Sequence, residues 1–107
     1  GIAHMDRAGL EGADQFEAIV ARHPHVERIV CGHLHRPIEC RFGRTFASTC
    51  PSPAHQVALD LRDDGPDRFV MEPPGYQLHL WREGRLITHT RVLGDYAGPY
   101  PLRDAGG

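Results

Sequence analysis

No stretch of the sequence approaches the roughly 20 consecutive apolar residues that a membrane-crossing helix needs, and no signal-peptide pattern opens it. A membrane partner is therefore not expected. The charge balance also lacks a basic excess. A formal net charge of −2 gives no electrostatic footprint for general binding to a nucleic-acid polymer. Cysteine is scarce: Cys31, Cys40 and Cys50 are odd in number and lack Cys-x-x-Cys spacing. That excludes a disulfide framework, and the strand-like flanks predict buried, reduced thiols in a reducing, cytoplasmic setting. Internal repeats, low-complexity tracts and a phosphate-cradling glycine loop are missing. Ser48 and Ser52 lack a nucleophile-elbow pattern, which disfavours a serine hydrolase. A His-Glu-x-x-His pair is missing too.

What remains is an ordinary globular composition. With 107 residues, 40% hydrophobic and 24% charged, the chain fits one domain with a modest core. Its organising stretch is Arg28-Ile29-Val30-Cys31-Gly32-His33-Leu34-His35-Arg36-Pro37. Ile29 to Cys31 reads as a buried strand covered on both faces. Gly32 permits a sharp turn, and Pro37 keeps Arg36 extended. His33 and His35 then stand on a loop at the carboxyl end of a strand, where open α/β sheets place ligands. Two imidazoles so close can reach one transition metal ion or two neighbouring ones. Eight histidines in the chain also make such a pair by chance, and a structural metal site wants about four ligands.

Around this stretch the pattern predicts an irregular lead-in over 1–9, where His4 and Asp6 are either site residues or solvated loop residues. A helix follows from about Glu11 or Gly12 to Ala21 or Arg22, with Phe16, Ile19, Val20 and His23 on one side and Pro24 as its stop. His23 and His25 read as surface residues at the helix end. Strands are expected over 28–31, 37–42, 44–48, 56–61 and 68–71, with a hairpin turn at Gly43. Ile38, Cys40 and Phe42 should share a covered face. A second hairpin, 76–81 with 86–92, turns at Glu83-Gly84, and His79 and His89 lie in its strands as packing residues. Gly94 to Gly107 reads as a surface-following or frayed tail. The fold class is α+β: one helix and mainly antiparallel strands.

The run Val26 to Arg36 resembles the Gly-His-x-His motif of calcineurin-like metallophosphoesterases. It is most similar to the bacterial branch of class III cyclic-nucleotide phosphodiesterases and glycerophosphodiesterases. The resemblance continues through Gly1-Ile2-Ala3-His4-Met5-Asp6, Pro51-Ser52-Pro53-Ala54-His55-Gln56-Val57, Glu72-Pro73-Pro74-Gly75-Tyr76 and Gly98-Pro99-Tyr100-Pro101. It implies the C-terminal part of a four-layered α/β/β/α sandwich. Residues 1–61 would complete the catalytic sandwich, and 68–107 would form a hairpin and tail used in homo-oligomer contacts. A start at Gly1-Ile2-Ala3, with no initiator methionine, agrees with a piece of a larger enzyme.

The resemblance implies a function as well. Small phosphodiesters, 3',5'-cyclic nucleotides first among them, would be hydrolysed by a metal-activated hydroxide at a binuclear centre. The cofactors would be two divalent or trivalent transition metal ions (Fe, Mn or Zn). His33 would bind one metal and His35 the other. His55 would face the phosphate as substrate-binding and catalytic residue, and His4 would lie on the substrate side. By itself His55 could equally be an ordinary loop residue. The family's other ligands come from an Asp-x-His, a Gly-Asp, an Asn-His and a further histidine, none of which occurs here. Two histidines cannot assemble the centre, so the isolated chain is expected to be inactive or nearly so. A different class remains open: a β-rich dimerisation or interaction module pairing edge to edge through Tyr76–Trp81. A mononuclear zinc hydrolase built on His33, His35 and His55 ranks last, for want of a carboxylate pattern.

Overall fold

The computed structural model describes residues 1–103. Over 1–9 the expected irregular lead-in contains a short helical turn, α1 (Ala3–Asp6). It forms because Ile2 is buried and its carbonyl accepts from the Met5 and Asp6 amides at 3.0 and 2.9 Å. The predicted helix is α2 (Ala13–Ala21), entered through Gly12 at φ 75°, a left-handed conformation that costs glycine nothing. Of its expected apolar side only Val20 is buried. Phe16 stays partly exposed and meets Phe42 with ring centroids 5.4 Å apart, and His23 lies beyond the helix.

The strands form three small sheets. β1 (Ile29–Cys31), β2 (Ile38–Phe42) and β3 (Thr45–Thr49) make the first, in the order β1-β3-β2. β2 and β3 are the predicted hairpin, antiparallel from Phe42↔Thr45 to Ile38↔Thr49. Gly43 turns it at φ 60°. Its amide donates to Glu17 Oε1 at 3.0 Å, and its α-carbon is so close to α2 that a Cβ would lie 3.1 Å from Ala21 N. β1 runs parallel to β3, Cys31 opposite Thr49. Parallel pairing needs a crossover, and the β2 arm of the hairpin supplies it.

β4 (Gln56–Val57) and β5 (Phe69–Val70) form a two-residue antiparallel ribbon, shorter than the strands predicted over 56–61 and 68–71. The charged stretch between them is drawn into a tight turn instead: Asp60 Oδ1 accepts from the Arg62 backbone amide at 3.1 Å, and Gly65 N donates to Arg62 O. β6 (Gly75–Arg82) and β7 (Arg85–Val92) make the second hairpin, closed by Glu83 and Gly84 at φ 52° and 73° as a two-residue turn of this hand requires. Residues 94–103 follow without regular structure; the rest of the predicted tail, 104–107, lies outside the described residues.

The modest core does not materialise within this chain. Among the described residues only Ile2, Val20 and Val57 are buried hydrophobics. Val30 in β1 is 55% exposed, so the strand is not covered on both faces, and Cys40 is exposed in what should be a covered row. The cysteines are free but not buried: Cys31 and Cys40 are exposed and Cys50 is half-buried. The reason lies in the architecture: α2 packs chiefly against β2, and Val30, Phe46, Phe69, Leu78 and Trp81 of the three sheets stay exposed. The radius of gyration is 17.6 Å, against about 13 Å for a compact domain of this length.

Candidate metal-ligand loop and phosphate site

The site begins where β1 ends. After Cys31, the Leu34 amide donates to the Gly32 carbonyl at 2.9 Å, closing a three-residue turn with His33 at its centre. His33 has φ 74° and His35 φ 49°. Left-handed backbone at side-chain-bearing residues costs on the order of 1–3 kcal/mol each and gathers at functional sites. The strain persists because neighbours hold the loop. Thr49, buried at the end of β3, donates from Oγ1 to Arg36 O at 2.5 Å and accepts from Ile38 N at 3.1 Å. It thus ties both ends of the Arg36-Pro37 corner.

A second loop brings His55 to the same place. In Pro51-Ser52-Pro53-Ala54, Ser52 Oγ accepts from Ala54 N at 2.9 Å. The buried Gln56 amide grips Ser52 twice, Oε1 accepting from Ser52 N at 3.0 Å and Nε2 donating to Ser52 O at 2.9 Å. His55 is therefore delivered by a fixed turn just before β4. Its ring lies 4.9 Å from the His35 ring on one side and 4.9 Å from Phe69 on the other, tilted in both contacts.

The structure brings together His35 and His55. It leaves His33 exposed at the turn, and it gives His4 a different neighbour. The His4 side chain is buried, and its Nε2 lies 3.2 Å from Asp67 Oδ1. The angle is not that of a hydrogen bond, so this contact is an ion pair only when the ring is protonated. Further along the same turn, Asp60 is held well below the usual carboxylate range, at about 2, because Arg62 hydrogen-bonds it through the guanidinium (2.9 and 2.6 Å) and the backbone amide.

His35 Nδ1 is buried with no hydrogen-bond partner. A desolvated, unpaired imidazole nitrogen is costly unless something accepts its lone pair, and a transition metal ion does so. His35 thus suits a metal ligand, with the exposed His33 beside it. Among the described residues, however, no three His, Cys, Asp or Glu side chains converge as a metal cage. The loop has the chemistry of part of a donor set.

Sequence reasoning missed four residues that build this site: Thr49, Gln56, Arg36 and Phe69. Each acts through a long-range contact. The one local signal is the run of small and proline residues before Gln56, which needs a side chain to satisfy its backbone.

Comparisons with known proteins agree with the loop. The chain is 42% identical over 109 residues to a probable glycerophosphodiester phosphodiesterase GpdQ of Arcobacter nitrofigilis, matching 100% of this chain and 40% of that one. It is 31% identical over 100 residues to the glycerophosphodiester phosphodiesterase GpdQ of Enterobacter lignolyticus, covering 94% and 36%. To the 3',5'-cyclic adenosine monophosphate phosphodiesterase CpdA of Escherichia coli K12 it is 29% identical over 97 residues, covering 89% and 34%. No protein-family model matches. The chain belongs to the bacterial metallophosphoesterase family of GpdQ and CpdA, the one that its Gly-His-x-His stretch resembles. It spans 34–40% of the length of these relatives, which accords with its being the C-terminal part of such a protein.

Proposed function

We propose that the whole protein containing this chain is a metal-dependent phosphodiesterase of small diesters, and that this chain supplies two ligands and the phosphate-facing histidine. The observation that carries the reading is the buried, unpartnered Nδ1 of His35 in a strained loop beside His55. Two bound transition metal ions (Fe, Mn or Zn) would supply charge neutralisation at the phosphate and hydroxide near neutral pH. His33 and His35 would hold one metal each. His55, steadied between His35 and Phe69, donates a hydrogen bond to a phosphoryl oxygen as charge develops there. His4 stands at the substrate side, as the resemblance implies. The remaining ligands come from outside these residues, so the isolated chain does not turn over.

Substrate choice lies between cyclic nucleotides and glycerophosphodiesters. The relative at 42% identity is named for glycerophosphodiesters and that at 29% for cyclic AMP. The test is metal content together with hydrolysis of bis(p-nitrophenyl) phosphate, cyclic AMP and a glycerophosphodiester, on this chain and the full-length protein side by side. Metal binding and turnover by the full-length protein alone support the proposal. Turnover by the pure chain, abolished by His33→Ala, overturns the partial-site reading.

A second reading is favoured by the β6–β7 hairpin, whose Leu78, Trp81 and Val92 are exposed. In it the residues from about 68 onward form a homo-oligomer contact, within a cytoplasmic enzyme or as an interaction module in its own right. No helix among the described residues is long and apolar enough to cross a membrane.

A further inference from the structure

We infer that Arg36 is a positioning residue for the metal-ligand loop, fixing His35 against His55 through a two-directional grip on Val57 and Glu72. The inference rests on the proposed metal site and adds what holds it in shape.

His33 and His35 both occupy left-handed backbone, a conformation that relaxes unless neighbouring contacts over-determine it. The Gly32–Leu34 hydrogen bond secures the upstream side. Downstream the restraints converge on one residue. The Arg36 carbonyl accepts from Thr49 Oγ1, its Nε donates to Val57 O at 3.0 Å, and its Nη2 meets Glu72 Oε1 at 2.5 Å. The Arg36 side chain is 13% exposed; its bond to Val57 is partly buried, while its bond to Glu72 lies at the exposed end and holds through charge-assisted geometry.

The partners are informative. Val57 is the β4 residue in register with Phe69, the ring that stacks on His55. Glu72 follows the same ribbon two residues after β5. By binding both, Arg36 measures the separation between the loop carrying His35 and the ribbon carrying His55 and Phe69. Lysine cannot do this. A single ammonium on a flexible stem does not reproduce a planar group donating to a carbonyl in one direction and a carboxylate in another. A purely electrostatic role would tolerate Arg36→Lys, whereas positioning does not.

The experiment uses the full-length protein, with Mn2+ titrated by calorimetry and with selectively labelled histidine rings followed by NMR in the metal-free state. Arg36→Lys and Glu72→Ala are each expected to weaken Mn2+ binding about tenfold, and the double variant no further than either alone. In metal-free protein the His35–His55 ring cross-peak should be present in the wild type and lost in Arg36→Lys. Should Arg36→Lys fail to fold, Glu72→Gln, at the half-exposed end of the pair, is expected to show the same loss of affinity. Affinity within twofold of wild type in every variant, while His33→Ala and His35→Ala abolish binding, overturns the inference and leaves the metal reading standing. If the histidine variants leave Mn2+ binding unchanged, the metal reading fails. The cross-peak then decides for Arg36, and its persistence in Arg36→Lys overturns the positioning role.

Discussion

His33 combines an exposed side chain with a backbone φ of 74°, so packing does not account for its identity, and the proposed ligand role makes a test at this position sharp. Replacing it by glycine should release the left-handed strain, worth about 1 kcal/mol in stability of the metal-free protein, while abolishing metal binding. Urea denaturation with and without metal checks both signs, and a destabilised His33→Gly would show that the ring packs after all. Asp60 gives a second test at this scale. Its folded carboxyl is pushed down to about 2 from the ordinary 3.8, because Arg62 hydrogen-bonds the charged form. The linked contribution is therefore complete above about 4 and fades as pH falls through 2. It is screened, because the Arg62 partner is exposed. In an NMR titration, Arg62→Ala should return the midpoint toward 3.8.

Among the elements, one glycine and one glutamine make sharp predictions. Gly75 opens β6 beneath Pro51, and a Cβ there would stand 2.7 Å from Arg91 O. Gly75→Ala should thus cost about 1–3 kcal/mol and raise amide exchange at the base of the β6–β7 hairpin before anywhere else. Gln56→Leu should cost a similar amount, about 1–3 kcal/mol for the Ser52 groups it leaves unpaired, and should lower turnover by loosening His55. The sequence shows Gly43, Glu83-Gly84 and Pro24 as turns and stops because their causes are local: a positive φ or a missing amide proton. It hides the brevity of β4 and β5: the Ala58 amide still reaches Arg68 O at 3.0 Å, but among the described residues no strand continues the pairing along Leu59 to Leu61 or Met71. The grip of Gln56 on Ser52 is likewise invisible, since loop side chains reveal their partners only once the loop is closed.

The whole molecule measures 58 × 39 × 19 Å, with Val30, Phe46, Leu78 and Trp81 among its exposed apolar side chains. Exposed apolar side chains spread over the sheets in this way mark surfaces prone to association. The pure chain should therefore self-associate in size-exclusion chromatography with light scattering, while a strictly monomeric chain at high concentration would argue that these faces are benign. His33, His35 and His55 were legible as candidates because they sit in short motifs, and the fold sets His35 beside His55. The missing second layer was legible only through the resemblance, since local pattern does not say which face will find cover. The Arg36–Glu72 pair also orders events in time. The two residues lie 36 apart along the chain, and β1 must wait for β3 to pair at all. As the polypeptide leaves the ribosome, the histidine loop emerges ahead of the Glu72 segment yet stays shapeless until that segment arrives. A nascent chain halted before that point would display His33 and His35 on a loop that nothing yet holds in its left-handed form.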